Sequence, residues 1–167
     1  MRVAVTGGTG FVGIHTVRAL KDAGHEVVIV ARGTTRRPKG ERVTFVRADV
    51  TSATNLAEIF AGCDAVVHLV AIINQRGRQT FDRVNREATE RVVGAAKQAK
   101  VAHFVHQGAL GADPDPRYPY LVSKWPVSYT HLPLTSNRPL MSTPGMPFRM
   151  GASRSNWPSS MKAAWRQ

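Results

Sequence analysis

The stretch RVAVTGGTGFVG, residues 2–13, decides the fold because it joins a strand to a glycine-rich turn. Its first five residues, RVAVT, hold three consecutive apolar residues and are rich in β-branched ones, which predicts a buried strand. Gly7, Gly10 and Gly13 follow at the spacing G-x-x-G-x-x-G, and an amphipathic run continues to Ala23. Glycines at this spacing allow a sharp strand-to-helix turn and the close approach of a pyrophosphate to the backbone. The stretch therefore predicts the phosphate-binding turn of a βαβ unit.

The same alternation of strand and helix continues to about residue 125. Further strands are predicted at residues 25–32, 42–50, 64–71 and 102–109, and further helices at 52–62 and 79–99. For the first of these helices we expect Thr51 or Ser52 as the N-cap and Gly62 as the end. The pattern predicts an α/β fold, a Rossmann-type parallel sheet of order 3-2-1-4-5 with helices on both faces.

The composition is that of one globular domain. The chain has 167 residues, 43% of them hydrophobic, which is enough for a single core. Cys63 is the sole cysteine, so no disulfide forms within the chain and a reducing compartment is expected. No stretch of the sequence is long and apolar enough to span a bilayer, and the N-terminus does not resemble a signal peptide. We therefore expect a cytoplasmic protein without a membrane span.

The net charge of +12 is unevenly distributed. Residues 126–167 contain no acidic residue and six of the ten prolines, whereas all 11 acidic residues lie in residues 1–125. Pro126 is expected to end the preceding helix near Trp125, and no apolar periodicity follows it. We therefore divide the chain into a domain at 1–125 and a Pro-rich basic tail at 126–167.

The tail has two interpretations. It could be a basic arm for RNA or an acidic partner, but its abrupt change of composition favours a segment that is non-native or disordered. PVSYTHL at 126–132 is similar to the translation of a transposase end sequence, which supports a foreign origin. Nucleic acid is therefore not the expected partner. The domain is predicted to be C-terminally truncated, which leaves its fifth strand at a sheet edge that invites association.

Basic residues follow the second predicted strand, where NAD-binding folds usually place a carboxylate for the ribose 2′-hydroxyl. Arg32 occupies this position, and Arg36, Arg37 and Lys39 come shortly after it. An arginine here can pair with a 2′-phosphate and stack on adenine, so we favour NADP(H), with NAD(H) as the alternative. Asp49, directly after the third strand, is placed either to border the adenine or to hold a turn.

Five motifs in order resemble the extended and atypical short-chain dehydrogenase/reductases, a group that includes the NAD-dependent epimerases and dehydratases. The motifs are TGGTGFVG, ADVTS, VVHLVAI, VNREATERVVGAAKQAKVAHFVHQGALGADPD and YLVSK. HLVAII and ALGADPD look most like the NAD(P)-binding accessory subunit of respiratory complex I and its bacterial relatives. The resemblance implies a Rossmann-type domain, a bound dinucleotide and, in full-length members, a smaller C-terminal portion that binds the substrate.

The glycine turn and the resemblance together define a predicted cofactor site. By resemblance, Leu69, Val70 and Ala71 line the cofactor at the end of the fourth strand, and Asn85 matches an asparagine that orders the active site. The complete predicted set is Gly7, Thr9, Gly10, Phe11, Val12, Gly13, Arg32, Asp49, Val50, Leu69, Val70, Ala71, Asn85 and Lys124.

Tyr120 and Lys124 match the catalytic pair of the family. In active members the tyrosine is a general acid/base, and the lysine, one helical turn later, lowers the tyrosine pKa and binds the nicotinamide ribose. The family serine that holds the reacting oxygen is matched here by Gly108, which has no hydroxyl, so one transition-state donor is missing. We interpret His103 and His106 as strand residues rather than metal ligands.

These observations favour a dinucleotide-binding domain with weak or absent catalysis and an unidentified small-molecule substrate. One alternative is an active NADP-dependent reductase or nucleotide-sugar epimerase/dehydratase that uses Tyr120 and Lys124. Another alternative is a cofactor-sensing regulator.

Overall fold

Five parallel strands form one sheet. The computed structural model describes residues 1–33, 40–109 and 117–130, with the backbone alone for 126–130, and all of these lie in one compact unit, Met1–Pro133. The strands are β1 (Arg2–Thr6), β2 (Glu26–Ala31), β3 (Val43–Arg47), β4 (Ala65–His68) and β5 (His103–His106). Their order in the sheet is β3-β2-β1-β4-β5, which confirms the predicted Rossmann-type topology.

Helices lie between β1 and β2, between β3 and β4 and between β4 and β5, and one more follows β5. They are α1 (Phe11–Asp22), α2 (Leu56–Phe60), a π-helical segment (Asp82–Glu87) that leads directly into α3 (Ala88–Gln98), and α4 (Pro119–Thr130). In the part of the chain that the structure describes, none of these helices has the length and apolarity needed to cross a membrane.

Alternating side chains of the central strands build a core on each face of the sheet. Ala4 and Val28 face one way and pack into a cluster with residues of α2 and α3. Val5 and Ile29, paired in register across β1 and β2, face the other way and pack with Val17 of α1. Burial of a valine or isoleucine contributes roughly 1.5–3 kcal/mol, so these clusters fix the helices on both faces.

Two local predictions were wrong. Helix α2 begins at Leu56 with Asn55 as its N-cap, later than expected, because Thr51 instead donates its amide and hydroxyl to the Asp49 carboxylate. Helix α4 does not end before Pro126 but continues to Thr130. A proline inside a helix removes one backbone hydrogen bond, and this helix continues in spite of that loss.

Several predictions fall outside the described residues. Arg36, Arg37 and Lys39 lie in the undescribed segment 34–39, and nearly all of the tail lies beyond residue 130. Within the described ranges, β5 pairs with β4 alone, and Val105 on it is 50% exposed. The described part of the sheet therefore has β5 at its edge.

Candidate dinucleotide site

A cleft of about 610 Å³ opens at the carboxyl ends of β1 to β4. In parallel sheets of this order, ligands bind at the carboxyl ends of the strands, where the strand order reverses. The cleft brings together nine of the predicted cofactor residues, namely Gly7, Thr9, Gly10, Arg32, Asp49, Val50, Leu69, Val70 and Ala71.

The glycine turn forms one wall of this cleft through its backbone. Gly7 has a φ of 76°, a conformation that strongly favours glycine, and its amide donates to the Val30 carbonyl over 3.0 Å. A Cβ added at Gly13 would lie 2.2 Å from the Gly7 carbonyl oxygen and 2.7 Å from the Gly8 Cα. A side chain therefore cannot be accommodated at Gly13 without displacing the turn.

The start of α1 leaves amide groups available to an anion. Gly10 is the N-cap and provides no side-chain cap, so the first amides of the helix carry the partial positive charge of its N-terminus. The Phe11 side chain is 86% exposed and that of Val12 is 43% exposed, and neither lines the cleft. Any contribution of these two residues to binding a phosphate would come from their backbone amides.

Arg32 and Asp49 lie at the ends of β2 and β3 and both line the cleft. The Asp49 carboxylate accepts the Thr51 amide over 2.9 Å and the Thr51 hydroxyl over 2.8 Å. Burial alone would raise the pKa of Asp49, but these two hydrogen bonds and the positive charges of Arg32 and Arg83 hold it below its usual value. The Asp49 carboxylate is therefore ionised and already hydrogen-bonded within a turn.

A further wall of the cleft was not predicted from the sequence. It consists of five residues after β4: Ile72, Arg78, Gln79, Arg83 and Val84. A usable signal was present, because QRGRQTFDR at 75–83 places three arginines just beyond the carboxyl end of a strand. In this fold, that is the edge where anionic cofactors bind.

Asn85 lies behind the cleft and is fully buried. Its Oδ1 accepts the Ile72 amide over 2.9 Å, and its Nδ2 donates to the Ile72 carbonyl over 3.0 Å and to the Ser123 hydroxyl over 3.0 Å. The Ser123 hydroxyl in turn donates to the Tyr120 carbonyl over 2.6 Å. Asn85 therefore fixes the chain after β4 and ties it to helix α4, without lining the cleft itself.

His68 continues this buried chain of hydrogen bonds towards the glycine turn. Because the Thr89 hydroxyl donates to the Asn85 carbonyl over 2.7 Å, it must accept from His68 Nε2, which lies 3.0 Å away. The imidazole is then protonated on Nε2, and its Nδ1 accepts from the Thr6 hydroxyl over 2.6 Å. Complete burial, with the nearby His106 and Lys124, lowers the pKa of His68 to about 3, so the ring is neutral.

His106 lies beside this network on β5. Its ring stacks on that of His68 with centroids 5.6 Å apart, and both of its buried ring nitrogens have no hydrogen-bond partner in the described part of the chain. Burial and the charge of Lys124 lower the pKa of His106 to about 4.

The tyrosine and lysine of the predicted catalytic pair lie one turn apart on α4 and do not line the cleft. The Tyr120 ring makes an edge contact with Phe81, with centroids 6.0 Å apart. Lys124 is 2% exposed, its Nζ lies 3.4 Å from the Gln107 carbonyl, and burial lowers its pKa. Gly108, one residue beyond that carbonyl, is exposed. The lysine therefore lies against the end of β5, close to the position that lacks a serine.

The chain matches one family model over residues 3–126, that of the NAD dependent epimerase/dehydratase family. A 3-beta-hydroxysteroid dehydrogenase of Mycolicibacterium neoaurum is 39% identical over 113 residues, which are 63% of this chain and 31% of that protein. A UDP-glucose 4-epimerase of Klebsiella pneumoniae is 31% identical over 144 residues, which cover 74% of this chain and 100% of that sequence. The chain thus spans under a third of the length of the hydroxysteroid dehydrogenase.

Solved structures of related enzymes have the same fold. MoeE5 in complex with UDP-glucuronic acid and NAD is 33% identical, with a TM-score of 0.61 over 74% of this chain and 46% of that one. UDP-glucuronic acid 4-epimerase from Bacillus cereus in complex with NAD is 27% identical, with a TM-score of 0.62 over 74% of this chain and 49% of that one. Both likenesses extend over less than half of the compared protein.

Proposed function

Because this chain belongs to the NAD-dependent epimerase/dehydratase family, we propose that its domain at residues 1–125 binds NADP(H) in preference to NAD(H). The observation that supports this preference most strongly is Arg32, which lines the cleft at the end of β2. A carboxylate at this position would accept the ribose 2′-hydroxyl of NAD, whereas a guanidinium pairs with a 2′-phosphate.

Asp49 does not replace the missing carboxylate in this proposal. Its Oδ1 already accepts two hydrogen bonds from Thr51, and its charge is balanced by neighbouring arginines. The alternative is NAD(H), which is supported by the NAD in the complexes of MoeE5 and the Bacillus cereus epimerase.

The glycine turn fits a dinucleotide on steric grounds. The absence of a side chain at Gly13 lets α1 start in close contact with the turn, and α1 begins with amides that no side chain caps. A nicotinamide cofactor supplies hydride transfer when bound. The chain itself contributes the amide cradle, the cation at Arg32, and the Asn85 contacts that fix the segment after β4.

For catalysis we propose weak or absent turnover. Tyr120 and Lys124 both lie on α4, but the position that matches the serine donor is held by Gly108. Loss of one such donor typically lowers kcat by about 100- to 1,000-fold. The second candidate is an active reductase or epimerase that works with Tyr120 and Lys124 alone, as the names of the related hydroxysteroid dehydrogenase and epimerase suggest.

We also propose that this domain is similar in function to the NAD(P)-binding accessory subunit of respiratory complex I and its bacterial relatives. Its role would then be in cofactor binding or in assembly. A cofactor-sensing regulator is the alternative role. We further propose that the dinucleotide-binding domain ends near Trp125, because the match to the family model ends at residue 126. Residues beyond it are proposed to be foreign to the domain.

Binding of the two reduced cofactors tests the preference. The dissociation constants for NADPH and NADH are measured by fluorescence for the wild type, Arg32→Gln and Arg18→Gln, the last an exposed arginine of α1 outside the cleft. We expect the wild type to bind NADPH more tightly, and Arg32→Gln to weaken NADPH binding by about 10- to 100-fold, since a charged hydrogen bond contributes about 1.5–3 kcal/mol. Equal affinity of the wild type for both cofactors would refute the preference.

Restoring the missing hydroxyl tests the catalytic part. The wild type, Gly108→Ser and the double variant Gly108→Ser/Tyr120→Phe are assayed for oxidation of NADPH with a panel of carbonyl compounds. We expect turnover in Gly108→Ser alone, because the second change removes the acid/base group. Turnover by the wild type at a rate typical of the family would instead favour the second candidate.

A further inference from the structure

The wall of the cleft that follows β4 is an ordered segment. Residues 76–79 form a tight turn closed by two backbone hydrogen bonds, of 3.1 Å and 3.0 Å, between Arg76 and Gln79. Gln75 Oε1 accepts the Phe81 amide over 2.9 Å at the start of the helix. Asn85 holds Ile72 at the other end of the segment. These contacts hold the segment at both ends.

Arg83 is placed on this wall by the first turn of the helix. Its amide donates to the Thr80 hydroxyl over 3.2 Å, and its partly buried side chain lines the cleft next to Val84. The neighbouring Arg86 differs, because its guanidinium makes ion pairs with the carboxylates of Glu87 and Glu90. The helix therefore presents one arginine to its own acidic residues and another to the cleft.

The charges around the cleft favour an anion with more than one negative charge. Three arginines, Arg32, Arg78 and Arg83, line it together with one carboxylate, that of Asp49. The charges of Arg32 and Arg83 both act on Asp49, which places Arg83 at the same end of the cleft as Arg32. One arginine balances the carboxylate, so a positive charge remains available at this end.

We infer that Arg83 is a specificity-determining residue that binds the 2′-phosphate of the adenosine half of NADP(H) together with Arg32, which lines the same cleft. This inference rests on the NADP(H) preference proposed above and adds a second cation to it. A phosphate monoester carries close to two negative charges at neutral pH, and guanidinium groups bind such oxygens with charge-assisted hydrogen bonds. Two arginines thus match the charge that distinguishes NADP(H) from NAD(H).

Fragments of the cofactor test the role of Arg83 directly. Dissociation constants of 2′,5′-ADP and 5′-AMP, which differ in the 2′-phosphate alone, are measured by calorimetry on the full chain. The variants are Arg83→Gln, Arg83→Lys, Arg32→Gln and, as a matched control, Arg91→Gln on the exposed side of α3. Thermal unfolding of each variant establishes that it is folded.

Arg83→Gln is expected to raise the dissociation constant of 2′,5′-ADP by about tenfold or more, while the dissociation constant of 5′-AMP changes by less than about twofold. Arg83→Lys is expected to recover part of the affinity, because it keeps the charge and loses the forked geometry, and Arg91→Gln is expected to match the wild type. Unchanged binding of 2′,5′-ADP to a folded Arg83→Gln, or an equal loss for both fragments, overturns the inference.

The same measurements separate a role of Arg83 from the NADP(H) preference itself. If the wild type binds both fragments equally, the NADP(H) preference itself is wrong. If the wild type prefers 2′,5′-ADP and Arg32→Gln abolishes this preference while Arg83→Gln keeps it, the preference stands and Arg83 has no part in it.

Discussion

Replacing His68 by glutamine is expected to change how the stability of the domain depends on pH. His68 is completely buried between Thr6 and Thr89, and burial lowers its pKa to about 3. In the unfolded chain the imidazole has an ordinary pKa of about 6.5. Below this value the unfolded state takes up a proton that the folded state does not, so stability is lost as the pH falls from about 6.5 towards about 3.

The size of this effect follows from the two pKa values. Between pH 7 and pH 5, His68 is expected to lower the free energy of unfolding by about 2 kcal/mol, which is less than the limit of about 2.7 kcal/mol for one proton over two pH units because the unfolded imidazole is only partly protonated near its pKa. At pH 7, His68→Gln is expected to be less stable than the wild type by about 1–3 kcal/mol, because the Thr6 hydroxyl loses its buried acceptor. At pH 5 most of this difference disappears, since glutamine does not titrate.

Urea unfolding followed by circular dichroism at pH 7, 6 and 5 measures these free energies. His106 and Lys124 are present in both proteins, so their own titration largely cancels in the difference. His15→Asn, on the exposed side of α1, controls for the removal of an imidazole. The reasoning is refuted if His68→Gln loses as much stability as the wild type between pH 7 and pH 5.

Three further substitutions test other parts of the structure. Gly13→Ala is expected to lower the thermal midpoint sharply and to weaken dinucleotide binding, because its Cβ would lie 2.2 Å from a carbonyl oxygen; an unchanged midpoint would contradict the packing of the turn. Gly94→Ala on α3 is its control: apart from its chain neighbours and the backbone of its own helix, no heavy atom of the described residues lies within 4 Å of the added Cβ, and a gain of about 0.5–1 kcal/mol in urea unfolding is expected from helix propensity. Asn85→Leu leaves the Ile72 amide and carbonyl unpaired, so we expect the free energy of unfolding to fall by about 2–4 kcal/mol and the dissociation constant for NADPH to rise. Wild-type affinity in a folded variant would show that the hydrogen bonds between Asn85 and Ile72 do not shape the cleft.

The strand order and the glycine turn could be predicted because they depend on local patterns. Residues 3–5 and 27–31 are continuous apolar runs that fit strands buried on both faces, and both lie in such strands. The turn at Gly7 and the helix end at Gly24 could also be predicted from a few neighbouring residues, because both positions have a positive φ, which glycine adopts without strain. The same holds for Arg32, whose place in the cleft follows from its position directly after β2.

The local signals failed where distant or competing contacts decided the outcome. Thr51 is a good N-cap by residue type, but the Asp49 carboxylate two residues earlier takes its amide and hydroxyl. Pro126 lies inside α4 although proline usually ends a helix.

The sequence alone therefore determined the Rossmann-type sheet, the glycine turn and the identity of the cation after β2, because neighbouring residues carry that information. Tertiary structure alone brought Arg83 into the same cleft as the glycine turn and joined Thr6, His68 and Thr89 in one buried chain. His68 in a strand pattern looks like any partly polar core position. Its neutral state and its tautomer follow from partners up to 62 residues away, whose hydroxyl groups must satisfy both ring nitrogens once water is excluded.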